Sequence, residues 1–178
     1  MKAGKMPSQL RMDALYMGIA NHIAKMSYAK RAQVGAVIVK GDNIISMGWN
    51  GTPAGDDNAC EDMEYMDRGA GGWLNPDEIE ATWPYVNPDG KRYRLVTKKN
   101  VLHAESNALL KLLACDHPVS TTNATLYVTL SPCSECAKLI KQAKISRVVY
   151  LDNYRDTGGV KLLLDRGVAV EQFTINEE

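Results

Sequence analysis

The chain has 178 residues; 21 Lys and Arg balance 21 Asp and Glu, and 45 % of residues are hydrophobic. This is enough material for one cored domain without disulfide staples, and a charged fraction of 24 % argues against wholesale disorder. Zero net charge argues against a nucleic-acid-coating protein, and no apolar run approaches the roughly 20 residues of a membrane span.

Residues 12–26 place Met12, Leu15, Tyr16, Ile19, Ala20, Ile23 and Met26 at helical spacing, which predicts one face of an amphipathic helix. Val34 to Val39 is a short β-branched run and reads as a buried strand. Gly41-Asp42-Asn43 is a turn signal, and Ile44 to Met47 reads as a second, antiparallel strand. Residues 49–101 differ in composition, with Pro76, Pro84 and Pro88 punctuating them, and read as an irregular insertion within a single domain spanning 1–178. The insertion is too long for an ordinary connection, which points to function. Its part from 61 to 101 holds Trp73, Trp83 and a basic end at Lys91, Arg92, Arg94, Lys98 and Lys99. It reads either as a solvated flap or as a lid or subunit contact.

Order returns at Ala104. Helices are expected over 104–115, 134–143 and 157–166, the last ended by Gly167, with strands over 125–130, 147–151 and 168–172. This alternation requires crossover connections and so a parallel component. With the antiparallel hairpin it gives an α/β protein with a mixed sheet of about five strands.

The four cysteines are Cys60, Cys115, Cys133 and Cys136. The N-terminal residues lack the apolar core of a signal peptide, so reduced thiols in a cytoplasmic protein are expected. Only Cys133-Ser134-Glu135-Cys136 is tightly spaced, which alone leaves metal binding, redox chemistry and coincidence open. The constellation is sharper. His103-Ala104-Glu105 opens one helix, and Pro132-Cys133-Ser134-Glu135-Cys136 opens another directly after a strand. Strand ends and helix starts gather on one edge of an α/β sheet. There His103, Cys133 and Cys136 would hold zinc and leave one tetrahedral position for water, as a catalytic site requires. Helix N-termini favour thiolates, and Glu105 would stand near the water as proton acceptor and donor. A structural zinc site has no use for that carboxylate. The pattern H-x-E…P-C-x-x-C is the zinc deaminase signature.

On these residues, together with Gln33-Val34-Gly35-Ala36, Gly48-Trp49-Asn50-Gly51-Thr52-Pro53-Ala54-Gly55 and Ser131 to Lys138, the chain resembles the cytidine deaminase-like superfamily. Within it, the likeness is to the deoxycytidylate (dCMP) deaminases, including their allosteric phage and animal forms. Trp49 stands where the family loop usually has Tyr. The resemblance covers residues from about Gln33 to Gln172 and implies a three-layer α/β/α fold. It further implies hydrolysis of dCMP to dUMP and ammonia with one catalytic Zn2+ per subunit. Glu105 would move protons, the Ala104 N–H would hold the pyrimidine oxygen, and the Ser131 carbonyl would accept from the amino group. Asn50 would contact the deoxyribose. For the phosphate, Arg31 and Tyr154 are expected, with Lys30 and Arg155 as further candidates by position. The allosteric forms imply a homo-hexamer activated by dCTP with Mg2+ and inhibited by dTTP. Asn50, Gly51, Thr52, Pro53 and Gly55 would then contribute to the effector site. Cys60 reads either as one ligand of a second, structural zinc or as a buried small apolar residue, and Cys115 as core. A tRNA adenosine deaminase is the nearest enzymatic rival, but zero net charge and the 48–55 loop favour a mononucleotide. Neither a nucleic-acid nor a membrane partner is expected.

Overall fold

A computed structural model describes residues 7–67, 69, 74–114, 116 and 119–174. The chain runs α1 (Pro7–Ala24), β1 (Gly35–Lys40), β2 (Asn43–Trp49), β3 (Glu61–Tyr65), α2 (Pro76–Thr82), β4 (Tyr85–Val86) and β5 (Arg92–Thr97). It continues with α3 (Ala104–Leu113), β6 (Thr125–Leu130), α4 (Ser134–Gln142), β7 (Arg147–Asp152), α5 (Gly158–Asp165) and β8 (Ala169–Gln172).

Five strands form one sheet in the order β2-β1-β6-β7-β8. β2 and β6 flank β1 antiparallel, whereas β6, β7 and β8 run parallel. The mixed sheet expected from the sequence is therefore present. Both faces are covered, which explains why β1 and β6 read as nearly unbroken apolar runs. Strand alternation sorts the side chains into two cores. Ala36, Ile38, Leu126, Val128 and Val148 pack with Ala108, Ile140 and Leu163 from α3, α4 and α5. Val37, Val39, Tyr127 and Val149 pack with Tyr16, Met17, Ala20 and Ile23 of α1. The layers are α1, sheet, and α3 with α4 and α5.

The buried face of α1 differs from the expected one. Leu15 and Met26 are exposed, while Met17 and Ala24 are buried. The contact stripe runs through Tyr16, Met17, Ala20, Ile23 and Ala24, and Leu15 lies about 100° away from Tyr16 on the helix. Met26 lies past the helix end. Asp13 lies on the buried side, fully enclosed. It accepts from Arg147 at 2.8 and 2.7 Å, from Tyr127 Oη at 2.8 Å and from Gln9 at 3.0 Å, so the buried charge is paired.

Residues 49–101, expected to be irregular, contain a second sheet in the order β3-β5-β4, antiparallel throughout, with α2 between β3 and β4 in the chain. Asn75 and Glu78 form a capping box that starts α2. Tyr93 lies opposite Tyr65 and Tyr85, and the ring centroids are 5.8 and 5.3 Å apart. Cross-strand aromatic pairs of this kind stabilise a sheet with little core beneath it. Three basic residues of this segment find local partners. Arg94 pairs with Glu64, Lys98 with Asp57, and Arg92 donates to the Trp83 carbonyl.

Candidate active site

Two chain reversals at one edge of the main sheet build the site. β6 ends at Leu130, and the turn Ser131-Pro132 leads into Cys133, the N-cap of α4. His103 is the N-cap of α3. Both caps have extended backbone, and neither side chain caps its own helix. They turn toward each other. His103 Nδ1 lies 3.5 Å from Cys133 Sγ and 3.3 Å from Cys136 Sγ. Among the described residues, His103, Cys133 and Cys136 are the group of metal donors, with ligand atoms all within 4.8 Å of one another. Two soft sulfurs and one imidazole nitrogen at this spacing suit zinc and leave a fourth position for a non-protein ligand. The three residues therefore fit the metal that the sequence implied.

Electrostatics favour the same assignment. Hydrogen bonds from the Cys136 thiol and the His103 ring hold the Cys133 thiol down to about 3. Cys136 is pushed up by its bond to Cys133 and by burial, and His103 is raised chiefly by its bond to Cys133. Glu105 stands in the first turn of α3, only 4 % exposed. Burial pushes its carboxyl above the usual range, so it holds a proton more readily than a surface glutamate.

A cleft of about 300 Å³ opens over these groups, with His103, Ala104, Glu105, Ser131 and Cys133 at its chemical end and Arg31, Tyr154 and Arg155 in its lining. That volume lies at the small end of ligand pockets and suits one nucleotide-sized molecule. Ala104 is fully buried at the first position of α3, where a main-chain N–H has no helical acceptor. Ser131 donates its N–H to the Asp152 carbonyl at 2.8 Å, and its hydroxyl accepts from the Tyr154 N–H at 2.7 Å. These bonds fix the Ser131 peptide without using its carbonyl oxygen. Arg155 lies over the Tyr154 ring at 5.6 Å. Lys30 is not part of the lining.

Asn50 lines the cleft, and its carboxamide also ties the cleft wall together. Its oxygen accepts from the Val34 N–H at 2.8 Å, and its nitrogen donates to the Ala32 carbonyl at 2.9 Å. One amide hydrogen and one lone pair are left over from these bonds. Gly51, Thr52, Pro53 and Gly55 lie outside the lining. Gly51 exchanges two main-chain hydrogen bonds with Leu102, so this loop holds the residue before His103. Cys60 is buried, with its Sγ 3.6 Å from the Asn58 carbonyl, and no further metal-donor cluster forms around it among the described residues. Cys115 and Trp73 fall outside the described residues.

Sequence reasoning missed Glu61 and Thr97, which come from the inserted sheet and line the cleft. Neither carries a motif. They meet the site only through the β3–β5 register, where Glu61 and Thr97 are direct partners.

Comparison with known proteins gives a consistent result. The model of the cytidine and deoxycytidylate deaminase zinc-binding region matches residues 10–152. The deoxycytidylate deaminase of Enterobacteria phage T4 is 36 % identical over 170 residues, covering 85 % of this chain and 84 % of that protein. The mouse deoxycytidylate deaminase is 32 % identical over 178 residues, covering 96 % and 84 %. Among solved structures, the dCMP deaminase of cyanophage S-TIM5 in complex with dCMP and dUMP superposes with a TM-score of 0.71 at 33 % identity. It covers 96 % of this chain and 100 % of that one.

Proposed function

From a chain that belongs to the cytidine and deoxycytidylate deaminase family, we infer that the reaction is dCMP + H2O → dUMP + NH3. The observation that carries the reading is the convergence of His103, Cys133 and Cys136 with the buried Glu105 at the end of one nucleotide-sized cleft. His103, Cys133 and Cys136 would hold a zinc ion, which when bound supplies a Lewis acid that makes water a nucleophile at neutral pH. Glu105 takes one proton of the attacking water and delivers it to N3 of the pyrimidine. It then takes the proton of the new C4 hydroxyl and passes it to the amine, which leaves as ammonia while C4 becomes a carbonyl. Its raised proton affinity suits a group that must both accept and donate. The Ala104 N–H binds the pyrimidine carbonyl oxygen, and the Ser131 carbonyl accepts from the amino group. The remaining hydrogen-bonding capacity of Asn50 goes to the deoxyribose. Arg31 and Tyr154, with Arg155 beside them, receive the phosphate.

The reading extends to regulation. The chain acts as a homo-hexamer that dCTP with Mg2+ activates and dTTP inhibits, with the 50–55 loop at the effector site. Supporting it are the motif likeness to the allosteric forms and the Gly51–Leu102 bridge, which links this loop to the residue before His103. The test is ammonia release from the zinc-loaded protein with dCMP, CMP, cytidine and deoxycytidine, with and without dCTP and dTTP. Turnover of dCMP above the others is expected, with a sigmoidal dependence that dCTP abolishes. Absence of dCMP turnover overturns the substrate, and a hyperbolic response indifferent to both effectors overturns the regulation.

A further inference from the structure

The cleft has one wall that the deamination chemistry does not use. Glu61 opens β3, Thr97 closes β5, and the two face each other across the ladder while lining the cleft. Opposite them runs the segment that carries Arg31. Glu61 Oε1 accepts from the main-chain N–H groups of Lys30 at 3.0 Å and Arg31 at 3.1 Å. Thr97 Oγ1 accepts from Arg31 Nη1 at 3.0 Å. One register pair therefore holds both the backbone and the head of the same arginine.

This arrangement has a physical consequence. An exposed arginine samples many rotamers, and ordering it on binding reduces affinity. Arg31 is held before any ligand arrives, with one guanidinium N–H committed to Thr97 and the rest of its fork left for an anion. A carboxylate beside a phosphate site would repel the ligand. Glu61 Oε1 accepts hydrogen bonds from two amide N–H groups, whose dipoles offset part of that repulsion.

We propose that Glu61 and Thr97 are positioning residues that pre-orient Arg31 toward the substrate's phosphomonoester, which makes the inserted sheet the element that selects nucleotide over nucleoside. The inference rests on the dCMP reading above and assigns the specificity of that site. The experiment measures KM and kcat for dCMP in the zinc-loaded full chain, for Thr97→Val, Thr97→Ser, Glu61→Ala, Arg31→Ala and the Arg31→Ala/Thr97→Val pair. Thr97→Val and Glu61→Ala are expected to raise KM about tenfold with kcat within about threefold, the pattern of lost binding common to ground and transition states. Thr97→Ser keeps the acceptor and is expected to restore KM. In the Arg31→Ala background, Thr97→Val is expected to add less than about twofold, because its effect passes through Arg31. Wild-type KM in Thr97→Val and Glu61→Ala, an additive double variant, or a fall in kcat without a rise in KM would overturn the positioning role. Arg31→Ala with unchanged KM would overturn it too, by removing Arg31 from the phosphate site. Failure of the wild type to turn over dCMP would instead overturn the underlying substrate reading.

Discussion

Gly159 offers a quantitative test of how the site is held. It lies in the first turn of α5, packed on the reversal that carries Cys133. A Cβ there would sit 2.0 Å from the Pro132 carbonyl oxygen, and 2.6 and 2.7 Å from the Cys133 carbonyl carbon and oxygen. Ordinary contact begins at 3.4 Å, so Gly159→Ala has to open the tightest approach by about 1.4 Å. All three neighbouring atoms are main chain, so no rotamer change relieves the clash. Overpacking of this kind costs about 1–3 kcal/mol. At roughly 2–4 °C per kcal/mol, Tm should fall by several degrees. The larger effect falls on rate. Pro132 is fully buried, and the Ser131 peptide is held by Asp152 and Tyr154, so the displacement passes into the residues that frame Cys133. Misplacement of a reacting group by ~1 Å costs about 100-fold. We therefore expect kcat/KM for dCMP to fall about tenfold to 100-fold in a protein that still melts cooperatively. Gly18→Ala is the control. It lies within α1 with nothing within 4 Å of the added carbon, and should stabilise by roughly 0.5–1 kcal/mol. Wild-type kcat/KM in Gly159→Ala would refute the claim that α5 seats the metal-bearing turn.

Asp13→Ala should lower stability by about 3–5 kcal/mol, because Arg147 loses its bidentate partner in a largely buried setting. Glu171 at 3.1 Å keeps that loss toward the lower end, and thermal melts with a loss below about 1 kcal/mol would contradict it. Burial and the Asp13 carboxylate push the Tyr127 phenol above the usual tyrosine range. The unfolded chain then releases this proton first, so the associated stability is complete below about pH 10 and is lost as pH rises further. Tyr127→Phe should flatten that alkaline decline in urea titrations, and an unchanged slope would remove the cause. Chelating zinc should lower Tm by several degrees, as expected when a ligand binds only the folded state. Cys133→Ser should melt at the same temperature with and without chelator, whereas retained zinc-dependent stabilisation would exclude Cys133 as a ligand.

The strands buried on both faces were the most legible part of the chain. β6 matches its expected bounds, and β1 and β7 are displaced by a residue at most, because continuous β-branched runs admit few other placements. The α1 face was misjudged because Leu15 and Met17 are equally apolar, and only packing decides which one faces the sheet. The inserted sheet was invisible for a different reason. β3 is largely exposed, and the Tyr65–Tyr93–Tyr85 stack exists only once the strands are in register. The same contrast holds at the site. His103, Glu105, Cys133 and Cys136 are legible because local spacing at two helix starts carries their chemistry. Glu61 and Thr97 are separated by 36 positions and meet across a ladder, so no local pattern announces them. Asn50 was legible as a member of the cleft but not as the tie between residues 32 and 34.

Deamination of dCMP by wild type and Glu105→Gln at matched zinc content tests the central claim most directly. The wild type should release dUMP and ammonia in equal amounts. Glu105→Gln should keep its zinc and lose about 10²–10⁴-fold in kcat, the range for removal of a general acid–base. A fully active Glu105→Gln protein, or a zinc-loaded wild type that leaves dCMP intact, would contradict the account.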